Sequence, residues 1–275
     1  TMTYRLPAGV PMFQSFATVK NISDNADKPL SVEQVTSFAS AFGAPKGTRA
    51  DLAKWSLIEG EYDWLAEGRW HETPLRDYFP VMAQELTDHD PRGEHSVVST
   101  STWSTGKHAP LAIAKSDEFK IAWLFQVEHN GAWRWEVGED TEDAYVALSG
   151  PTSVNHGWCK NLMPGETFST VPASVALAAD FDGVIEAVTG YRRAMRLQPE
   201  HSDNARPKVI FNDYMNTIYG DPTTEKELPL IKAAAEVGIE IFCIDCGWYD
   251  ETGNWWPTVG EWLPSKKRFP NGLKE

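Results

Sequence analysis

The sequence predicts a mainly β protein whose C-terminal part changes to an α/β pattern. Residues 1 to about 180 contain short apolar or alternating runs separated by Gly, Pro, Asn and Asp, a pattern typical of a β-sandwich or barrel. From Lys208 onward a strand, a helix and a second strand follow within about 36 residues, which is the pattern of a βαβ unit. We therefore expect a β domain followed by the start of a parallel α/β domain.

The β part contains several candidate strands. The clearest runs cover residues 12–19, 52–58, 95–103 and 111–114. Residues 119–137 place two β-rich runs on either side of Asn130-Gly131. Because a type I′ turn needs positive φ at both central residues, Asn-Gly is the strongest short hairpin signal. This segment is predicted to be a β-hairpin.

A helix and a linker are predicted to close the β domain. Residues 182–196 carry Val184, Ile185, Val188, Tyr191 and Met195 at helical spacing. Polar residues and two prolines follow in 198–207. We therefore predict a first domain over residues 1–203, including this helix and linker, and a second over residues 204–275.

The α/β part begins with an apolar strand at 209–211, as expected for a parallel strand buried on both faces. Thr224 and Glu227 have the spacing of a capping box, which predicts a helix from there to Val237, with Gly238 after its end. Pro229 weakens the first turns of this helix. Residues 239–244 form the second predicted strand.

Composition narrows the possible partners and environment. The 275 residues carry a formal net charge of −14, which argues against binding a nucleic-acid backbone. No apolar stretch is long enough to span a membrane, and no signal-peptide pattern opens the chain. Three cysteines, an odd number, are typical of a reducing compartment. We expect a cytoplasmic protein that binds neither nucleic acid nor membrane.

Candidate functional residues follow the two α/β strands. Asn212-Asp213-Tyr214 follows the first strand, and Asp245-Cys246-Gly247-Trp248 follows the second. In βα barrels such strand ends carry the functional groups. Carboxylates and large rings together suit a polyhydroxylated ligand, because carboxylates form strong charge-assisted hydrogen bonds with hydroxyls. An aspartate at this position can also cap a helix or hold a loop, so both interpretations stay open at this point.

The chain resembles the retaining α-galactosidases (melibiases) of glycoside hydrolase family 36. The similar segments are FNDYMNTIYGD, TTEKELPLIKAAAEVGIEIFCIDCGWYD and VGEWLPSKKRFPNGLKE, and upstream LMPGETFSTVPASVAL and the VEHNGAWRWEV run. The resemblance implies an N-terminal β-supersandwich followed by the first βαβ unit of an incomplete TIM barrel. It also implies hydrolysis of terminal α-galactosides with retention, by double displacement.

The resemblance also implies site residues. Asp245 matches an aspartate that binds galactose hydroxyls, Trp262 matches a tryptophan of the sugar pocket, and Tyr214 stands where the family has an aromatic residue. The full set predicted to bind substrate is Asp213, Tyr214, Asp245, Cys246, Trp248 and Trp262. Cys246 and Glu261 stand where the family usually has aspartates, so the identity of the sugar stays open.

The same resemblance places both catalytic aspartates on later barrel strands, so none is expected in this chain, which alone should be inactive. It implies an α-galactoside oligosaccharide as substrate and a homo-oligomer, a tetramer in the family. No cofactor is expected, since Cys243 and Cys246 lack the partners of a metal site. The alternatives are a non-catalytic carbohydrate-binding or assembly module, an α-N-acetylgalactosaminidase, and a galactosyl transferase.

Overall fold

A computed structural model describes residues 1–42, 49–140, 143–197, 200–201 and 205–275. The chain divides into two compact units, Thr1–Arg196 and Leu197–Glu275. The domain boundary predicted at residues 203 and 204 lies outside the described residues.

Most of the regular secondary structure of the first unit is β-strand. The strands are β1 (Met2–Arg5), β2 (Met12–Lys20), β3 (Leu30–Val32), β4 (Thr36–Phe42), β5 (Ser56–Glu61), β6 (Arg69–Pro74), β7 (Glu94–Ser99), β8 (His108–Ser116), β9 (Ile121–Val127), β10 (Trp133–Glu139), β11 (Ala144–Ser149), β12 (Lys160–Leu162), β13 (Thr167–Ser169) and β14 (Ala173–Ala178). The helices are the short α1 (Leu75–Tyr78), α2 (Gln84–Thr87) and α3 (Ser153–His156), and the longer α4 (Phe181–Met195); Arg49–Lys54 is a 3₁₀ helix.

The strands form two antiparallel sheets. The larger has the order β1-β2-β14-β9-β8-β5-β6, with β13 also paired to β2, and the smaller has the order β4-β11-β10-β7. Strands β3 and β12 form a separate pair. One apolar cluster contains residues of both sheets, among them Leu57, Phe125, Trp133 and Trp135. The predicted mainly β fold is confirmed.

Helix α4 packs on the larger sheet. Asp180 caps it by accepting a hydrogen bond from the Gly183 N–H at 2.9 Å. Val184 and Tyr191 lie in a second apolar cluster with Leu124 of β9, whereas the neighbouring Phe125 belongs to the first cluster. Because successive side chains of a strand point to opposite faces, β9 is apolar except for Gln126, and its two faces belong to different cores. The helix was predicted at 182–196, and this is confirmed.

The predicted hairpin at 119–137 is wrong. Its two strands exist, but β9 pairs with β8 and β14 in the larger sheet, while β10 pairs with β7 and β11 in the smaller sheet. Asn130 and Gly131 both have negative φ, so they do not form a type I′ turn and instead lead from one sheet to the other. Phe125 and Trp135 pack edge to face across the sandwich at 5.7 Å. This core contact takes the place of strand pairing.

Two further predictions need smaller corrections. The run at 52–58 is not one strand, since its first residues end the 3₁₀ helix and β5 begins at Ser56. The run at 95–103 is a strand only as far as Ser99. Met195 and Ile185 of the predicted helical face are 49% and 37% exposed, and Ala187 is buried instead.

The second unit is a βαβ unit, as predicted. Its elements are β15 (Ile210–Asn212), α5 (Thr224–Glu236) and β16 (Ile241–Cys243), and the two strands pair in parallel. A π-helical turn (Tyr214–Ile218) follows β15 and a 3₁₀ turn (Trp256–Thr258) lies in the last loop.

The start of α5 differs from the predicted capping box. Thr223, not Thr224, is the N-cap, and its hydroxyl accepts from the Lys226 N–H at 3.3 Å. Glu227 turns inward and is 2% exposed. Gly238 has φ +83° directly after the helix, as expected for a residue past a helix end. Pro229 lies inside the helix.

The two parallel strands are more exposed than the sequence predicts. Val209 and Ile210 are 54% and 57% exposed, and Ile241 is 44% exposed. The described residues hold only these two parallel strands and no closed barrel, so their faces lack the layers that cover a complete parallel sheet.

None of the helices in the described part of the chain has the length and apolar character of a membrane-spanning segment.

Candidate functional site

The ends of β15 and β16 bring Asn212, Asp213 and Asp245 together. The Asn212 Nδ2 donates to Asp245 Oδ2 at 2.6 Å, and the backbone N–H of Asp245 donates to Asp213 Oδ1 at 2.8 Å. The Asp213 N–H donates to the Cys243 carbonyl at 3.2 Å. Asp245 is therefore held through both its side chain and its backbone, and it is half-buried.

Asp213 lies beneath this edge and not at its surface. It is 1% exposed, and one of its oxygens is already taken by the Asp245 N–H. The prediction that Asp213 binds substrate does not agree with this burial, because a sugar cannot reach its carboxylate here. Its observed contact is with the backbone of Asp245.

Gly247 follows Asp245 and Cys246 at a point where two loops pack closely together. Its φ is +90°, a value that favours glycine. A Cβ atom at this position would lie 2.0 Å from the carbonyl oxygen of Gly220. The loop after β16 therefore packs directly against the backbone of the loop after β15, and only glycine allows that approach.

Aromatic rings surround the strand ends in two groups. Tyr214 stacks on Tyr219 with centroids 4.9 Å apart and meets Trp255 edge to face at 5.9 Å. Burial raises the pKa of Tyr214, and so do its neighbours Cys246 and Asp245.

The second ring group consists of Trp248, Tyr249 and Trp262. Trp262 lies 5.0 Å from Tyr249, edge to face, and 6.0 Å from Trp248. Trp262 is 58% exposed, so its ring is available to a ligand. The structure thus places Trp248 and Trp262 beside each other, as their predicted common role requires.

Cys246 is a neutral thiol in this environment. Burial, the charge of Asp245 and a hydrogen bond to Asp245 raise the pKa of Cys246 to about 11. Burial and Asp245 also raise the pKa of Cys243. Thiolates are the form that reacts and binds metals. Among the described residues, no three His, Cys, Asp or Glu side chains are arranged to hold a metal ion.

A buried ion pair holds the loop that carries these rings. Asp250 is fully buried and accepts from the Thr252 hydroxyl at 2.8 Å and the Gly253 N–H at 2.6 Å. Burial opposes its ionisation, but these bonds lower the pKa of Asp250 to about 2. Arg268 Nη2 lies 3.4 Å from Asp250 Oδ2 and Nη1 lies 2.6 Å from Asp221 Oδ1.

Sequence reasoning missed three contributors to this region. Asn212 was noted only as part of a strand end, although it bonds to Asp245 directly. The Asp250–Arg268 pair is separated by 17 residues of loop and has no local signal. The spacing of Thr224 and Glu227 predicts a capping box, but the N-cap is the adjacent Thr223. Glu227 therefore lies one residue beyond the capping-box position.

Comparisons with known proteins agree with this organisation. Residues 168–275 match the Melibiase family model. The chain is 24% identical over 217 residues to α-galactosidase AgaA of Geobacillus stearothermophilus, covering 78% of this chain and 28% of the relative. It is 28% identical over 277 residues to α-galactosidase C of Emericella nidulans, covering 96% of this chain and 33% of the relative.

A solved structure shows the same fold. The crystal structure of a variant of AgaA in complex with raffinose matches with a TM-score of 0.75 at 18% identity, covering 99% of this chain and 34% of that chain. The chain thus spans about a third of the length of the relatives it matches. The resemblance to family 36 α-galactosidases is confirmed.

Proposed function

We propose that this chain, as a relative of the melibiase α-galactosidases, supplies the N-terminal β domain and the first βαβ unit of a retaining α-galactosidase. The observation that carries the proposal is the arrangement at the strand ends. There the half-buried Asp245 accepts from the Asn212 amide at 2.6 Å, and the exposed ring of Trp262 packs beside Trp248. A carboxylate beside exposed rings is suited to holding sugar hydroxyls.

Asp245 is proposed to accept hydrogen bonds from substrate hydroxyls. Its Oδ2 accepts from the Asn212 amide, and an ionised carboxylate has further acceptor sites for substrate hydroxyls. Trp262 and Trp248 form the apolar wall against which the C–H face of a sugar ring packs. Cys246, as a neutral thiol that bonds to Asp245, adds no second carboxylate. We therefore expect weaker selection at the substrate's 4- and 6-hydroxyls than two carboxylates would provide.

The chemistry requires two further carboxyl groups. In retaining glycosidases one forms the glycosyl-enzyme and the other acts as acid and then base, about 5–5.5 Å apart. We propose that both are aspartates of later barrel strands outside residues 1–275. The contribution of this chain is to bind and orient the terminal sugar, with oligosaccharides such as raffinose as the substrate class.

Hydrolysis of 4-nitrophenyl α-galactoside by the natural protein that carries these residues tests the proposal. We expect release of nitrophenol, with α-galactose as the first sugar product seen by NMR. The 275-residue polypeptide alone should release none. A natural protein that binds galactose but hydrolyses no α-galactoside would support the carbohydrate-binding module instead.

We also propose that the natural protein is a homo-oligomer. This is supported by exposed apolar side chains at the β5–β6 connection, where Trp64 and Leu65 are 83% and 72% exposed. Exposed apolar patches of this kind mark interaction surfaces. Light scattering should give a mass at least twice that of one chain. A monomer at micromolar concentration would contradict this.

A further inference from the structure

A buried pair of acidic side chains lies beneath the candidate sugar site. Asp213 at the end of β15 is 1% exposed, and Glu227 of α5 is 2% exposed. Asp213 Oδ2 and both Glu227 oxygens are out of reach of water and have no donor among the described residues. Three buried acceptors without a donor are costly, so this arrangement requires a proton on one of the two side chains.

The proton belongs on Glu227. Burial and the adjacent Asp213 carboxylate raise the pKa of Glu227 to about 8, because two carboxylates cannot both ionise in one buried site. A protonated Glu227 donates to Asp213, and this contact is itself one cause of the raised pKa. At neutral pH the pair is therefore one carboxylic acid and one carboxylate.

Other charged groups around the pair leave this assignment unchanged. The guanidinium of Arg268 contacts Asp221 and Asp250. Glu275, across the small cavity beside Glu227, is exposed and accepts from Asn271 at 3.1 Å. On the strand side the titratable neighbours of Asp213 are Asp245 and the thiols of Cys243 and Cys246. All three carry negative or no charge, so none stabilises a second ionised carboxylate.

The pair connects helix α5 to the sugar site through one hydrogen bond. Asp213 Oδ1 accepts the backbone N–H of Asp245 at 2.8 Å. If Glu227 holds Oδ2, both oxygens of Asp213 are engaged and its carboxylate has one orientation. The backbone position of Asp245, and hence the direction of its side chain, then depends on Glu227.

We propose that Glu227 is a positioning residue for the sugar site, which as a protonated acid holds Asp213 and through it Asp245. This inference rests on the proposed function. Above about pH 8 Glu227 loses its proton, the two carboxylates repel each other, and Asp245 loses its fixed position. Because Asp245 binds the sugar, the consequence is a KM that rises with pH.

The test is the KM for 4-nitrophenyl α-galactoside, measured from pH 6 to pH 9 on the natural protein. In Glu227→Gln the amide donates to Asp213 at every pH, so we expect the wild-type KM at pH 6 and no rise toward pH 9. Glu227→Ala removes the donor and should raise KM at least about tenfold at all pH values. Glu236→Gln, an exposed change on the same helix, should follow the wild type.

A Glu227→Gln variant whose KM still rises with pH as in the wild type overturns the inference, and so does an unchanged KM in Glu227→Ala. If Glu227→Ala does not fold, the comparison of Glu227→Gln with the wild type decides. The loss of the KM rise in Glu227→Gln distinguishes positioning from a merely structural role. A packing defect would change KM at low and high pH alike.

Infrared spectroscopy of the 275-residue chain gives a readout that does not need activity. We expect the C=O band of a protonated carboxylic acid at pH 7, absent in Glu227→Gln and present in Glu236→Gln. Absence of the band from the wild type overturns the inference even in an active α-galactosidase. A band in a natural protein without activity overturns the proposed function and, with it, the role of Glu227 in sugar binding.

Discussion

Two glycines near the candidate site have the same φ but differ in the space around them. Gly247 and Gly253 both have φ +90°. A Cβ at 247 meets the Gly220 carbonyl at 2.0 Å, whereas a Cβ at 253 has no atom within 4 Å. Their alanine variants therefore differ only in the close contact between the two loops.

We predict that Gly253→Ala costs roughly 1–3 kcal/mol, the cost of the torsion alone. Gly247→Ala should cost roughly 4 kcal/mol or more, because the backbone of Gly220 cannot move aside as a flexible side chain would. Denaturant unfolding of both variants checks this. Equal losses would show that the Gly220 contact does not hold the loops together.

The sequence predicts the residues at the strand ends but not the residues that hold them in place. Asp245, Trp248 and Trp262 could be placed at strand ends from their order along the chain, and the structure brings them to one edge. The partners of Asp245 could not be predicted, because the Asp213–Glu227 pair depends on a helix packing over a strand end. A buried acid on a helix looks the same in sequence as an exposed one.

The two sheets of the first unit are joined by a carboxylate between their strands. Glu59 of β5 is 6% exposed, and its Oε1 accepts from the Tyr78 hydroxyl at 2.5 Å and lies 3.0 Å from His95 Nε2 of β7. Strand β5 is in the larger sheet and β7 is in the smaller. Burial opposes ionisation, but the bonds from His95 and Tyr78 lower the pKa of Glu59 overall.

A lowered pKa in the folded state makes Glu59 a source of stability above pH 4.5, the ordinary pKa of a glutamate. That stability is lost as the pH falls through the folded-state value. Glu59→Gln should lower the unfolding midpoint at pH 7 by roughly 5 °C, since hydrogen bonds to a charged group contribute about 1.5–3 kcal/mol. The difference from the wild type should shrink toward pH 3.

Glu61→Gln is the matched control on the same strand. Glu61 is exposed enough that its pair with Arg69, at 3.3 Å, should contribute less than about 1 kcal/mol. Its midpoint should therefore stay close to that of the wild type at pH 7. A Glu59→Gln midpoint that matches the wild type at both pH values would contradict a role for Glu59 in joining the sheets.

The pairing of elements was harder to predict than their existence. Strands β9 and β10 were both predicted from β-rich runs, and their Asn-Gly connection indicated a hairpin. The local turn preference was overridden because Phe125 and Trp135 gain more by packing across the core. Helix α4, by contrast, lies within one residue of its predicted bounds, because Val184, Val188 and Tyr191 of its periodic face pack in an apolar cluster with the larger sheet.

The whole chain consists of two units with unequal cores. Both large apolar clusters lie within Thr1–Arg196, whereas the second unit exposes the apolar strand residues Ile210 and Ile241. We predict that a polypeptide of residues 1–196 folds alone and unfolds cooperatively, with a near-UV circular dichroism spectrum that shows fixed aromatic rings. A spectrum without near-UV signal would contradict an independent first unit.

The broad architecture could be predicted because its signals are additive over many residues. The change from alternating runs to a strand-helix-strand pattern near Lys208 appears in the structure as two separate units. The exposure of β15 and β16 could not be read from their composition, because apolar parallel strands look the same whether or not further strands cover them.

The kcat/KM for 4-nitrophenyl α-galactoside is the measurement that shows whether Asp245 binds the terminal sugar of an α-galactoside. In the natural protein, Asp245→Asn should lower kcat/KM by roughly 100-fold, because a hydrogen bond to a charged acceptor is worth about 1.5–3 kcal/mol. Glu236→Gln should leave it unchanged. A kcat/KM in Asp245→Asn within about twofold of the wild type would rule out sugar binding by Asp245.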